Sequence, residues 1–219
     1  MTIQIAIDGP SGAGKSTISK MLAKDLGFHH IDTGAMYRGI TLYLLEKEIN
    51  IDNEEEVNKV LDNIDLSFDK DQIYLNGKNV SKEIRSNKVT KNVSQVSAYR
   101  KVREKLVSLQ RKLAEETNSI LDGRDIGTNV LKDADLKIYL TASTKSRAKR
   151  RYEENLSKGI ESNYEDVYKD IIRRDNFDSN REISPLKKAD DAIGIDSTNL
   201  NQYEVVEVIK KIMELKNVL

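Results

Sequence analysis

The N-terminal part of the chain alternates between two apolar repeats. Ile3, Ile5 and Ile7 recur every second residue, the period of a strand, whereas Ile18, Met21, Leu22 and Leu26 recur at three and four, the period of a helix. Gly27 supplies a stop for that helix. The pattern then repeats, with a short strand predicted over 28–32 and a helix from about 33–35 that carries Ile40, Leu44 and Leu45. Residues 119–122 and 136–141 read as buried parallel strands, and 192–196 as a last one. Strands separated by helices predict an α/β architecture.

The stretch 64–80 breaks this rhythm. Its two apolar runs flank turn residues, and Asn76-Gly77 is a hairpin signal, so a small antiparallel insertion outside the main sheet is expected here. A helix precedes it, with Asn53 and Glu56 spaced as a capping box. Val93, Val96, Val102, Leu106, Leu109 and Leu113 predict one long amphipathic helix, and Val205, Val208, Ile209 and Ile212 predict the last. No internal repeat or low-complexity tract interrupts the 219 residues, a length that suits a single domain.

Between the first strand and first helix stands Gly9-Pro10-Ser11-Gly12-Ala13-Gly14-Lys15-Ser16, followed by Thr17, which satisfies the P-loop pattern in its required context. Glycines let backbone N–H groups turn inward around phosphate, and the helix that follows aims its free N–H groups at the same anion. Lys15 is placed to reach the β- and γ-phosphates of a nucleotide such as ATP, and Ser16 to offer its hydroxyl to Mg²⁺. A GTPase is disfavoured. Neither Asn58-Lys59 nor Asn87-Lys88 continues into a guanine reader, and Asp191-Ala-Ile-Gly194 falls too late to be a switch loop.

Composition narrows the partners. Lysine plus arginine and aspartate plus glutamate balance at 36 each, so no global positive field draws nucleic acid or an anionic membrane. Aromatic residues make up only 5% and tryptophan is absent, which leaves few stacking platforms for single strands. Cysteine is absent, and neither a leader-like start nor a membrane-length apolar run is seen, so a cytoplasmic protein without disulfides, a monomer by default, is expected.

Anion binding must then come from local clusters. A phosphate monoester acceptor already carries an anionic oxygen near neutral pH, its second pKa being about 6, so transfer to it needs positioned cations rather than a base. Asp122-Gly123-Arg124-Asp125 directly follows a predicted strand, at the carboxyl end of the sheet where open α/β folds bind ligands, although a surface ion pair at a turn would look the same. Thr33-Gly34-Ala35-Met36-Tyr37-Arg38 follows the second strand likewise, and its bland alternative is an ordinary helix start. Arg174, Asp178 and Arg181 share one helical face if the helix persists that far, which suits either a phosphate beside a sugar hydroxyl or a surface salt-bridge ladder. Arg147, Arg150 and Arg151 sit on a basic helix ending at Lys158-Gly159 that reads as a mobile lid or as an exposed helix paired with Glu153 and Glu154. His29 and His30 are adjacent in a strand, point to opposite faces, and are read as structural.

Taken in order, G-P-S-G-A-G-K-S, D-T-G-A-M-Y-R, S-Q-V-S-A-Y-R-K-V-R, D-G-R-D-I-G and R-D-x-x-D-x-x-R resemble the bacterial cytidylate kinases essentially end to end. The resemblance implies a P-loop NTPase fold of five parallel strands, with an acceptor-binding region over about 33–95 that includes the insertion, and a helical lid over about 147–160. It implies ATP-dependent phosphorylation of CMP and dCMP with Mg²⁺. By the same resemblance Ser94, Arg103 and Asp125 face the cytosine ring. Arg38, Arg124 and Arg181 grip the acceptor phosphate, Arg174 and Asp178 face the ribose, and Arg147 and Arg151 belong to the lid. Thr33 stands where serine also occurs and keeps the hydroxyl, while Arg100 stands where proline is expected before Val102-Arg103.

Overall fold

The computed structural model describes residues 2–69, 72–157 and 159–218. Five parallel strands form the central sheet: β1 (Gln4–Asp8), β2 (His29–Asp32), β6 (Ser119–Gly123), β7 (Leu136–Thr141) and β8 (Ile193–Asp196), in the spatial order β2-β6-β1-β7-β8. The insertion is a separate antiparallel sheet of β3 (Leu66–Asp69), β4 (Gln72–Leu75) and β5 (Lys78–Asn79). The described residues also form eight α-helices: α1 (Lys15–Leu26), α2 (Thr33–Glu46), α3 (Glu54–Val60), α4 (Asn87–Val96), α5 (Arg100–Glu116), α6 (Thr144–Ser157), α7 (Tyr164–Asn180) and α8 (Gln202–Leu215).

Strand alternation divides the core into two layers. Ile5 and Ile7 of β1 pack with Ile18 and Leu22 of α1 and Val205 and Ile209 of α8, whereas Ala6 joins Met36 and Ile40 of α2 and Val102 and Leu106 of α5. The insertion is anchored to the second layer through Leu66, Ile73 and Leu75. Asn76 and Gly77 both take positive φ, 48° and 79°, the conformation that a two-residue hairpin turn of this sequence demands. That turn leads into β5, a third strand that the apolar pattern does not announce because Lys78 and Asn79 are both exposed. The turn residues expected between β3 and β4 include positions outside the described residues, as does Lys158 at the end of the basic helix.

Two expectations are corrected. The single long helix is two, α4 and α5, separated at Ser97-Ala98-Tyr99, where Tyr99 turns extended (φ −68°, ψ 131°) and its hydroxyl donates to the Ile51 carbonyl at 2.6 Å. No glycine or proline marks this break. It is held by that tertiary bond and by a local one, Arg103 Nη1 donating at 3.2 Å to the Ser97 carbonyl, a helix-end acceptor with no intrahelical partner. Arg100 is the first residue of α5. Asn53 does cap α3 by accepting from Glu55 and Glu56 N–H, but the Glu56 carboxylate takes the Asn53 side-chain amide rather than the backbone N–H. The reciprocal capping box lies instead at Asn201 and Glu204, opening α8. Among the described residues no helix is long and apolar enough to cross a membrane.

Candidate active site

A cleft of about 410 Å³ opens at the carboxyl ends of β1, β2 and β6. Nine lysine and arginine side chains line it against five aspartates and glutamates, so a chain of zero net charge concentrates positive charge here. The P-loop forms one end. Gly9 takes φ +151°, and a Cβ on it would lie 1.9 Å from the Leu140 carbonyl oxygen of β7, so only glycine fits this strand-to-strand approach. Gly12, at φ +77°, is likewise closed over by the Arg147 backbone of α6.

Lys15, at the first turn of α1, is buried and donates from Nζ to the Pro10 carbonyl at 2.9 Å. Burial, and then the nearby Arg124 charge, pulls its amine down to about 7. A phosphate in the loop would reverse that pull. Ser16 donates its hydroxyl to Asp122 Oδ2 at 2.7 Å, and Asp122 Oδ1 meets His30 Nε2 at 2.6 Å. Thr33 closes the same corner by donating to the Asp122 carbonyl at 2.7 Å. A hydroxyl set by a carboxylate is a hard-oxygen site, which fits Mg²⁺ that takes its other ligands from phosphate and water. Among the described residues no cluster of three or more His, Cys, Asp or Glu could hold a metal by itself.

Arginines paired in advance with carboxylates form the other end. Arg38 of α2 donates to Asp32 at 3.0 and 3.2 Å, and Arg85 approaches the same carboxylate at 3.6 Å. Burial works to raise the Asp32 carboxyl, but Arg38 and Arg85 outweigh it and hold it below the usual range. Arg124 Nε donates to Asp178 at 2.9 Å. Asp125 receives both Arg103 and Arg181, the second at 3.3 Å, together with the Asn129 amide at 3.1 Å. Arg103 also lies over the Tyr37 ring, 5.6 Å from its centroid. Ser94, buried on α4, lines the cleft beside this group. Behind Asp125 the buried Asp8 at the end of β1 accepts 2.8 Å bonds from the Ile126 and Gly127 N–H groups, fixing the single π-helical turn Ile126–Val130. Desolvation raises the Asp8 carboxyl to about 6 despite those donors.

Arg174 differs from its neighbours. It lines the cleft, makes no ion pair among the described residues, and its buried Nε has no acceptor. Burial and the charge of Arg124 pull its guanidinium down to about 10. Such a group can pair with an anion that comes from outside the chain.

The spacing of Arg174, Asp178 and Arg181 therefore converges on one cleft, though not as a continuous helical face. The α7 helix ends at Asn180, and Arg181 turns extended (ψ 142°) to reach the Ser184 carbonyl at 2.6 Å and Asp125. The lid arginines divide. Arg151 lines the cleft, half-exposed, 3.1 Å from Glu154. Arg147 does not line it: the side chain is buried, donates to the Ala142 and Ser11 carbonyls at 2.9 Å each, and pairs with Asp175 at 2.7 Å. It ties the P-loop to α6 and α7. Arg150 braces the Ser197 and Leu200 carbonyls at 2.5 and 3.3 Å. Sequence reasoning gave no part to Asp32, Arg85, Asp8 or the His30–Asp122–Ser16 contact; only Asp32, at an N-cap position, left a signal in its spacing.

Comparisons with known proteins agree with this geometry. The family model described as cytidylate kinase matches residues 5–215. A cytidylate kinase of Fusobacterium nucleatum is 52% identical over 212 residues, 97% of each chain, and one of Bacillus cereus is 49% identical over 215 residues, 96% of each. The solved structure of an uncharacterized protein from Eubacterium ventriosum shares the fold with a TM-score of 0.53 at 16% identity, over 97% of this chain and 99% of that one. With a P-loop at one end of a cationic cleft and this match across almost its whole length, the chain belongs to the cytidylate kinase family.

Proposed function

We propose that the protein transfers the γ-phosphoryl group of ATP to CMP and dCMP. The observation that carries this reading is one cleft holding a P-loop at one end and, at the other, a set of arginines whose charge exceeds that of their carboxylate partners. The acceptor phosphate brings its own anionic oxygen, so the protein's task is alignment and charge neutralisation. Lys15 and the P-loop N–H groups would hold the donor phosphates. Ser16 would hold Mg²⁺, which when bound neutralises charge on those phosphates. Arg38, Arg124 and Arg181 would grip the acceptor phosphate, with Arg174 and Asp178 toward the ribose and Arg151 approaching from a lid over about 147–160.

Ser94, Arg103 and Asp125 are the proposed base readers. Asp125 can only accept hydrogen bonds, so it favours the amino group of cytosine and repels the carbonyl that uracil carries there. The two guanidiniums on Asp125 keep that carboxylate oriented. The test is ADP release from purified protein with Mg-ATP and CMP, dCMP, UMP, AMP, GMP or shikimate as acceptor. Turnover concentrated on CMP and dCMP is expected; turnover on another acceptor, or none, would overturn the reading.

A further inference from the structure

His30 is the residue whose placement the sequence explains least. It lies on β2, whose His30 pairs with Ile120 of β6, while Asp32 pairs with Asp122. Alternation puts Ile120 and Asp122 on one face of β6, so the His30 ring reaches diagonally along that face to Asp122. Ile120 packs in the layer of α1, so this face lies beneath the helix that Ser16 helps to open. His29, one residue earlier, is exposed.

The His30 and Asp122 side chains are 6% and 5% exposed, and their 2.6 Å contact is as short as a charge-assisted bond. A carboxylate only accepts, so Nε2 carries the proton in this bond. The other oxygen of Asp122 accepts from Ser16 Oγ at 2.7 Å. Among the described residues these are the two side-chain partners of the Asp122 carboxylate, one on each oxygen. Fixing Oδ1 fixes the plane of the carboxylate and hence the direction in which Oδ2 holds the serine hydroxyl. An apolar side chain would fill the position on β2 equally well for packing, but would leave Oδ1 buried without a donor.

We propose that His30 is a positioning residue for phosphoryl transfer, holding the Ser16 hydroxyl in its metal-binding direction through Asp122. This inference rests on the reading of the protein as an ATP-dependent kinase with Ser16 at the metal. It assigns a role in the donor end to a residue outside the P-loop motif. Outer partners of this kind typically contribute ~10–100-fold to metal affinity or activity.

The test uses the full chain in three variants. His30→Phe keeps the volume without the donor, His30→Asn keeps a polar group one methylene too short to reach Asp122, and His30→Gln restores an N–H at comparable reach. Turnover is measured with saturating CMP across a Mg²⁺ series, and ATP affinity by calorimetry with and without Mg²⁺. Roughly tenfold loss of kcat is expected in the Phe and Asn variants, with the CMP KM nearly unchanged. Their Mg²⁺-dependent gain in ATP affinity should shrink in step, and Gln should recover most of both. If Phe fails to fold, the Asn and Gln pair decides the matter. Wild-type kcat and Mg²⁺ dependence in the Asn variant, whatever its melting temperature, would overturn the role of His30. A wild-type protein that binds ATP but phosphorylates no acceptor would instead overturn the kinase reading itself.

Discussion

The two ends of the cleft are built by different means. The donor end is a contiguous loop, Gly9 to Ser16, whose geometry comes from backbone torsions such as those of Gly9 and Gly12 and from the first turn of α1. The proposed acceptor end is assembled from α2, α4, α5, the end of β6 and α7, and it is held by ion pairs between residues far apart in sequence, 54 positions for Arg124 with Asp178 and 56 for Arg181 with Asp125. One end offers fixed N–H groups and a single buried lysine. The other holds its arginines oriented by aspartates. Backbone dipoles need no counter-charge, whereas guanidiniums gathered in one cleft repel each other unless carboxylates are set among them.

Substitutions should separate the ends. The largest effect is expected from Lys15→Ala, with about 10³-fold loss of kcat/KM for ATP and little change in CMP affinity, read by steady-state kinetics and calorimetry. Arg181→Ala should lower turnover about 10²-fold and weaken CMP while leaving ATP binding nearly intact. It should also destabilise the fold, because Asp125 loses one of its two guanidiniums. If both variants damaged ATP and CMP binding equally, the division into two ends would be wrong.

Protonation sharpens the same contrast. Lys15 is at about 7 in the folded protein against 10.5 in an unfolded chain, so between those values the unfolded state binds more protons and stability rises with pH. Donor phosphates favour the charged amine. ATP binding should therefore take up a proton over this window and weaken as pH climbs, measurable by calorimetry in buffers of different ionisation enthalpy. CMP binding alone should show far less uptake. The smallest effect is expected at Arg151→Ala, a few-fold in kcat, since this side chain is half-exposed and its 3.1 Å partner Glu154 is on its own helix.

Legibility followed the same division. The strand–loop–helix of the proposed donor end, the Asn76-Gly77 turn and the buried strands β6 and β7 were readable because each depends on neighbours in sequence, whereas β8, read as buried too, is an edge strand with Gly194 and Asp196 exposed. The break between α4 and α5 was not, since Ser97-Ala98-Tyr99 carries no breaker and is held by the distant Ile51 and by Arg103 folding back from α5. Arg147 looked like its exposed helical neighbours, yet only the arrival of the P-loop and Asp175 makes it buried. The acceptor arginines were visible as clusters, but spacing left them undecided between a ligand site and surface ladders, and the family resemblance was needed to choose. His30 reads as structural from its place beside His29 in a strand, and its partner Asp122, 92 positions away, is invisible to local pattern.

Both nucleotides are expected to occupy one cleft, end to end. The most direct measurement is a calorimetric titration with adenosine and cytidine joined 5′ to 5′ through five phosphates. One molecule is expected to bind per chain, at least ~100-fold more tightly than ATP alone, because the second end binds at the effective concentration set by the first. Binding no tighter than ATP, or two molecules per chain, would contradict it.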